Sequence, residues 1–492
     1  MLEDDILLVI FNYYRLDDDN DWNVQLGWCK LSHVCRRWRH LVHSSAFHLG
    51  MHILCTVGSP IVDTLDHLPL LPLFIDYPGK SVMNRWGDWA EPRVVRNEDE
   101  LGIYHALRLH DRVRRINLRV SPSTLDESFR VMDKPFPILE HLSLSFTGDS
   151  DEITSLTLPE TFLAPNLLHL DLLSIRLPKR LRLLSSTLSL VTLKLTNIQA
   201  SGYFRPRLLV ARLESLTQLE ELSIGFSIPI PRPSSERLLL GKQGTPVMLS
   251  NLKSLTFRGV SAYLERLISQ IRAPVLRELN ITLFNQLAFT LPHLSHFVNI
   301  TEQIKFPRTA KITFFSGTSV TLNHRLERGH PTYWIQGLTL DVMCKPLDWQ
   351  IDCAAQFCGA IMSALAGIEN LTLTSSTLIH WSATSGLGTN ETDDTTYDTT
   401  WPELLRLFVG VKELRIHPDF IVELSRALEV DEMGLDPGLL PDLRELVIDY
   451  HGEQADDLFG SFIHARQVAG RPVSLRQLYP RSLFGPRSPR SP

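Results

Sequence analysis

The first fifty residues alternate apolar and polar positions with the period of an amphipathic α-helix. The apolar residues of the first stretch recur every three or four positions, and they are Leu2, Ile6, Leu7, Ile10, Phe11 and Tyr14. An acidic loop with the sequence DDDND, at 17–21, then interrupts the pattern. A second amphipathic stretch follows, with apolar residues at Leu31, Val34, Cys35, Trp38, Leu41 and Val42. The pattern predicts a small helical domain over residues 1–50.

Beyond residue 100 a strand-like pattern replaces the helical one. Twelve short units share a pattern of an apolar residue, two mostly polar residues, a second apolar residue, one further residue and a third apolar residue; the unit TAKITF departs from it by beginning with threonine. The units begin at Val113, Leu139, Leu167, Leu190, Leu219, Leu252, Leu276, Thr309, Ile335, Ile368, Val411 and Leu443. Their spacing ranges from 23 to 43 residues and averages 30. Each unit predicts one β-strand, with its apolar side chains on one face and the intervening residues on the other.

The spacing and the flanking residues raise this repeat above chance. A bare three-position apolar pattern would occur about ten times by accident in a chain of this length. Four units, however, carry proline two residues before their first apolar position: Pro137, Pro165, Pro274 and Pro441. The period lies close to that of leucine-rich repeats, in which each repeat stacks on its neighbours. The sequence therefore predicts an α/β fold, with a small helical bundle followed by an irregular leucine-rich-repeat-like solenoid over residues 51–475.

Other segments interrupt or end the predicted solenoid. The stretches at 261–271 and 420–430 have helical spacing, and we expect them to close its convex side. A proline-rich insertion at 227–246 is predicted to be a surface loop, and a polar, threonine-rich insertion at 382–400 to be disordered. Residues 476–492 have the composition of a disordered basic, proline-rich tail.

Charge and cysteine content narrow the class of function. The net charge of −6 provides no field that would attract a nucleic acid. The longest apolar run, Ile6 to Phe11, is far too short to span a bilayer, and an acidic start is the opposite of a targeting signal. Six cysteines without dense spacing favour a reducing compartment. We therefore expect the protein in the cytoplasm or the nucleus, with neither nucleic-acid nor membrane partners.

No sequence pattern indicates catalysis. Cys344, Cys353 and Cys358 have spacings of nine and five residues, which match no usual zinc arrangement. The sequence has no His-Glu-x-x-His, Walker, dinucleotide-binding or Gly-x-Ser-x-Gly motif. We expect a protein that is not an enzyme, without catalytic, cofactor or metal sites. An enzyme on a repeat-like scaffold stays an alternative, because the members of a catalytic triad need not be neighbours in sequence.

The N-terminal pattern also resembles a known motif. The run ILLVIF at Ile6 to Phe11, followed by VCRRWRHL at Val34 to Leu41, resembles the F-box, in which similar runs stand in the same order. Segments such as LCTVGSP, PLFIDY, YLERLISQI and FNQL extend the resemblance to the large F-box families of mushroom-forming fungi. Two features depart from the motif: its usual opening proline is missing, and the loop at 15–27 is longer than usual.

The resemblance implies a protein-binding function. In F-box proteins the box docks on a Skp-type adaptor, which connects to a cullin ligase, while the remaining region holds a protein substrate. The residues that would supply the bundle and its adaptor contacts are Leu2, Ile6, Leu7, Ile10, Phe11, Leu31, Val34, Cys35, Trp38 and Leu41. The resemblance thus implies a substrate-recognition subunit of an SCF-type ubiquitin ligase, with an unknown substrate. The alternative is a leucine-rich-repeat-like binding scaffold without a ubiquitin link, whose N-terminal helices only cap the repeats.

Overall fold

The chain is a mixed α/β protein that divides into two compact units. Unit 1 comprises Met1–Phe204 and Ala211–Ser227, and unit 2 comprises Arg205–Val210 and Ile228–Pro492. The computed structural model describes residues 3–16, 27–45, 52–59, 61–65, 70–78, 95–146, 156–178, 182–227, 246–284, 290–324, 337–343, 347–375, 400–429, 439–448 and 455–477.

Three helices begin unit 1: α1 (Asp4–Leu16), α2 (Gly27–Val34) and α3 (Arg36–Ser44). Helix α1 follows the predicted pattern, and its first-turn acids Asp4 and Asp5 suit the positive end of the helix dipole. The second predicted stretch is two helices separated at Cys35, whose backbone is extended (φ −159°, ψ 169°). The Sγ of Cys35 accepts a hydrogen bond from the Trp38 N–H at 3.4 Å. Cys35 therefore caps α3. The apolar spacing in the sequence continues from α2 into α3, so the pattern alone does not show that the helix is interrupted at Cys35.

The strands of unit 1 pair into a parallel sheet in chain order. They are β1 (Ile53–Cys55), β2 (Leu73–Tyr77), β3 (Val113–Val120), β4 (His141–Phe146), β5 (His169–Leu173), β6 (Thr192–Ile198) and β7 (Glu221–Phe226). Between them lie α4 (Ile61–Thr64), α5 (Asn97–Arg108), α6 (Pro122–Val131), α7 (Arg182–Ser186) and a 3₁₀-helix at Ala200–Gly202. Helix α8 (Pro206–Leu213) is divided between the units. Strands β3 to β7 are the first five predicted repeats, whereas β1 and β2 were not predicted.

Unit 2 contains β8 (Val247–Met248), β9 (Ser254–Gly259), β10 (Ile271–Arg272), β11 (Glu278–Leu283), β12 (Thr309–Phe314), β13 (Thr318–Asn323), β14 (Gly337–Val342), β15 (Asn370–Ser375), β16 (Glu413–Ile416), β17 (Glu445–Ile448) and β18 (Ser474–Gln477). Strands β8 and β10 pair only with each other among the described strands. The others pair in the order β9, β11, β14, β13, β12, β15, β16, β17, β18. Its helices are α9 (Ser261–Ile268), α10 (Pro292–Ile300), α11 (Leu347–Ala360), α12 (Met362–Leu365), α13 (Thr400–Arg406), a 3₁₀-helix at Pro418–Phe420, α14 (Ile421–Ala427) and α15 (Ala455–Val468).

Three consecutive strands of unit 2 occupy the sheet in the reverse of their order along the chain. Strands β12, β13 and β14 form an antiparallel meander, with β14 next to β11 and β12 next to β15. After β11 the chain forms β12, three positions away in the sheet. It then returns through β13 to β14, which pairs with β11. A Cβ at Gly337 would collide with the Leu322 carbonyl oxygen, and one at Gly317 with that of Val342. Glycine thus permits the close approach of these strands.

The alternating apolar positions of the predicted repeats form the interior of each unit. Leu139, Leu142 and Leu144 are at most 1% exposed, while the intervening His141 is half-buried. All twelve predicted repeats coincide with strands, so this part of the prediction is confirmed. The predicted helical stretches contain α9 and α14.

The predicted insertions and tail fall almost entirely outside the described residues. The structure describes nothing of 228–245, 376–399 or 478–492. In the described part of the chain, no helix is long and apolar enough to cross a membrane.

Candidate functional site

The first candidate site is an apolar stripe on α1. Four large side chains of this helix are exposed: Ile6 (45%), Val9 (56%), Ile10 (43%) and Tyr13 (69%). They lie three, four and seven residues after the first of them, which places them on one face of the helix. This set is called the α1 stripe below. It leaves a continuous apolar surface in contact with solvent, which is the usual property of a surface that binds a partner.

The α1 stripe is supported by a small apolar core. Leu7 and Phe11 are buried, as are Leu41 and Val42 of α3. The Phe11 ring meets Trp38 edge to face, with the ring centroids 4.7 Å apart. Such ring pairs contribute about 0.5–1.5 kcal/mol beyond the area that they bury. This contact fixes α1 on α3 and so determines which face of α1 stays exposed.

Polar contacts contribute less stability to the packing of these helices than the ring pair does. Arg37 Nη2 pairs with Asp4 Oδ1 at 2.6 Å, and both side chains are more than one third exposed. An exposed pair of this kind contributes about 0–1 kcal/mol. Within the two neighbouring helices, Arg39 Nε donates to the Ser32 carbonyl oxygen at 2.9 Å.

The residues predicted for partner binding occupy different environments. Leu7, Phe11 and Leu41 are buried, Leu31 and Trp38 are half-buried, Ile6, Ile10, Val34 and Cys35 are exposed, and Leu2 lies outside the described residues. The exposed members, and the accessible parts of Leu31 and Trp38, are available for contact with a partner in this conformation. The prediction missed Val9 and Tyr13, although their spacing of three residues from Ile6 and Ile10 was a usable signal.

The second candidate site is the polar face of the unit 1 sheet. Strand register places Arg115 of β3 beside His141 of β4, and His141 beside His169 of β5. These three half-buried residues are called the cationic row below. The two imidazole rings are stacked, with centroids 4.3 Å apart and planes 10° from parallel. His169 Nδ1 lies 3.1 Å from the Thr192 hydroxyl oxygen, which orients its ring.

Both imidazoles of the cationic row are biased towards the neutral form. Burial lowers the pKa of His141, and the neighbouring His169 and Arg115 lower it further. Burial is also the largest cause of the lowered pKa of His169. The row therefore holds one permanent charge and two rings whose protonation costs more than in water.

The polar positions of unit 2 are more fully paired among themselves. Arg476 Nε lies 3.1 Å from Glu445 Oε1, and Asn370 Nδ2 donates to Glu413 Oε2 at 2.9 Å. Burial raises the pKa of Asp341, whose carboxylate lies beside Thr282. These contacts leave fewer side chains of this face for a ligand.

The cysteines singled out in the sequence are placed only in part. Cys353 and Cys358 lie on α11 and are buried, while Cys344 lies outside the described residues. Burial raises the pKa of the Cys358 thiol to about 12, which disfavours the thiolate that metal binding needs. Over the described ranges, His, Cys, Asp and Glu side chains form no group of three that could hold a metal ion.

No family model matches the chain, and no curated protein matches its sequence. The function is therefore inferred from the residues and their geometry.

Proposed function

We propose that this chain is the substrate-recognition adaptor of an SCF-type ubiquitin ligase. In this proposal residues 1–50 form an F-box-like bundle that docks on a Skp-type adaptor. The strands and helices of 51–475 form an irregular leucine-rich-repeat-like solenoid that binds a protein substrate. The protein would act in the cytoplasm or the nucleus.

The α1 stripe is the observation that carries the proposal. Fully burying an exposed Ile or Val side chain contributes about 1.5–3 kcal/mol. Ile6, Val9 and Ile10 are 43–56% exposed, so covering each contributes roughly half of that, and covering all of them supports binding. Three of the four stripe residues, Ile6, Val9 and Ile10, lie within the run ILLVIF, the first half of the F-box resemblance. From the second half, Trp38 contacts Phe11 of the same helix α1 edge to face, and Leu41 is buried. The contact between Phe11 and Trp38, one from each run, supports this proposal.

The contribution of such an adaptor to catalysis is proximity. Substrate and conjugating enzyme are held on one scaffold, which raises their effective concentration without a reacting side chain from this chain. The proposal therefore requires no nucleophile or metal here. It requires two separate binding surfaces, one for the adaptor and one for the substrate.

Co-purification of the full chain with a Skp-type adaptor tests the proposal. Ile10→Glu places a charge in the α1 stripe, and we expect it to weaken adaptor binding at least about tenfold, since a buried unpaired charge is strongly disfavoured. Asn12→Glu introduces the same charge at an exposed polar position of the same helix and is expected to leave binding within about twofold. Both variants should keep the circular dichroism spectrum and the melting temperature of the unchanged chain.

The alternative, a binding scaffold without a ubiquitin link, predicts a different result. In that case the unchanged chain is folded but does not bind the adaptor, or Ile10→Glu and Asn12→Glu have equal effects. Either result would refute the ligase proposal.

A further inference from the structure

The two imidazole rings of the cationic row form a stacked pair between neighbouring parallel strands. His141 of β4 and His169 of β5 are partners in the strand register, and their ring centroids lie 4.3 Å apart with planes 10° from parallel. Flat rings attract each other in this arrangement while at most one of them is charged, whereas two like charges at this distance repel. The geometry therefore accepts one proton and opposes a second.

The side chains around His169 include two that favour its charged form. Burial has the largest influence on the pKa of His169 and lowers it, whereas Glu221 and Glu140 raise it. Lys194 of the adjacent strand lowers it. His169 Nδ1 also lies 3.1 Å from the Thr192 hydroxyl oxygen, and a charged imidazole can donate this hydrogen bond. His169 is therefore the better acceptor for the first proton.

The side chains around His141 mostly oppose its charged form. Burial lowers the pKa of His141, and the charges of His169 and Arg115 lower it further. Glu140 raises this pKa and Arg114 lowers it, and these two side chains pair with each other at 2.8 Å. His141 therefore accepts the second proton only against the charge of the first.

The other carboxylates near the pair have basic partners. Asp171 lies two residues after His169 on the same face of β5, beside Lys194 in the strand register. Burial raises the pKa of Asp171, which makes its ionised form less available. Glu221 Oε1 lies 2.8 Å from Lys194 Nζ. These contacts reduce the compensation that the described residues provide for a second charge on the stack.

We propose that the stacked pair is a pH-sensitive switch on the polar face of the unit 1 sheet, closed with at most one charged ring and open when both are charged. Acidification adds the second proton to His141, and the repulsion between the rings turns their side chains apart. Opening removes the stacking contact between β4 and β5 and leaves two charges in place of a neutral pair. The switch is a property of the fold and does not rest on the function proposed above.

The stability of unit 1 should depend on this switch with a definite sign. A histidine in an unfolded chain has a pKa of about 6.5. Both rings have lower pKa values in the folded chain, so the unfolded chain binds more protons as the solution becomes more acidic. The stability of unit 1 should therefore fall as the pH drops below about 6.5, and this contribution should stop falling once the pH is below both folded pKa values.

The first experiment follows the two rings in the full chain by nuclear magnetic resonance. The Cε1–H signals are titrated from about pH 8 to about pH 5, and His141→Gln and His169→Gln assign them. We expect two separated steps, the first at His169 and the second at His141, each of which also shifts the signal of the other ring. The nuclear Overhauser contact between the rings should be lost with the second step. A contact that persists through both steps would overturn the proposal.

The two assignment variants also test the order of protonation. His169→Gln removes the charge that opposes the second proton, so the titration midpoint of His141 should rise. His141→Gln should move the midpoint of His169 less, because His169 takes its proton while its neighbour is still neutral. His40→Gln, at an exposed position of α3, is the control and should leave both midpoints unchanged. An unchanged His141 midpoint in His169→Gln would contradict the coupling on which the switch depends.

A second experiment separates ring stacking from protonation. His141→Phe keeps a flat ring beside His169 but removes the second proton. Thermal unfolding at about pH 8 and at about pH 5 should show a smaller loss of melting temperature on acidification in this variant than in the unchanged chain. If His141→Phe does not fold, His141→Gln provides the same comparison, because it also removes the second proton. Equal losses in the variant and the unchanged chain would show that the pair does not make unit 1 sensitive to pH.

Discussion

The N-terminal helices leave a row of apolar side chains exposed, whereas the unit 1 sheet buries the apolar side chains of its strands. In β6, Leu193 and Leu195 are at most 2% exposed, because the chain covers that face of the sheet. In α1, Val9 and Ile10 follow an equally regular amphipathic pattern, yet they stay exposed. Regular patterning therefore does not distinguish a core face from a binding face. The difference is whether the part of the chain that the structure describes supplies a covering layer, as it does for β6 and does not for this face of α1.

The comparison is tested most strongly by alanine substitutions of an apolar residue in each of the two regions. Leu193→Ala removes a fully buried side chain and should lower the free energy of unfolding by about 2–5 kcal/mol. Val9→Ala removes an exposed side chain of α1 and should change it by less than about 0.5 kcal/mol. Urea denaturation of the full-length variants measures both. Similar losses would show that α1 is covered in solution.

A glycine substitution tests how tightly the strands are packed. Gly337→Ala would push a methyl group into the Leu322 carbonyl oxygen and should destabilise unit 2 by about 1–3 kcal/mol. Gly470→Ala at an open position with positive φ (73°) is a control for backbone strain alone, because a Cβ there meets no atom within 4 Å. Thermal unfolding followed by circular dichroism compares the two. A smaller effect for Gly337→Ala than for the control would contradict the close strand approach.

The smallest expected effect concerns the break between α2 and α3. Serine is a stronger helix N-cap than cysteine, so Cys35→Ser should stabilise α3 by about 0.5–1 kcal/mol. The amide of Trp38, which donates to this side chain, should then exchange with solvent about two- to fivefold more slowly. Cys35→Ala should have the opposite effect. Equal exchange in all three chains would mean that residue 35 does not cap the helix.

Local patterns were sufficient for most strands and for the N-terminal helices. The twelve predicted repeats are strands because alternate burial leaves a period-two signature that needs no knowledge of neighbours. Strand β13 has a similar alternation but follows β12 after a short turn, and it was missed because the repeat search expected one strand per repeat. The short strands β1 and β2 precede the first repeat and carried no such signature.

Long-range order and the roles of individual site residues were not accessible in this way. The pairing of β11 with β14 depends on contacts between distant segments, which local hydropathy does not record. In α1, Phe11 and Ile10 are neighbouring apolar residues, and their types do not show which one is buried. Phe11 is buried against Trp38 and Ile10 is exposed, and this difference depends on where α3 lies. The cationic row belonged to the predicted class of positions between strand leucines. Its members could not be named because alignment across repeats requires the strand register.

The reversed meander has a consequence during synthesis. Thr282 of β11 and Asp341 of β14 are neighbours in the sheet but 59 residues apart in the chain. At a translation rate of about 5–20 residues per second, β11 leaves the ribosome roughly 3–12 s before its partner strand exists. Throughout that interval one edge of β11 is open to pairing with other chains. Nascent chains stalled between these strands should therefore be prone to aggregation and should depend on chaperones.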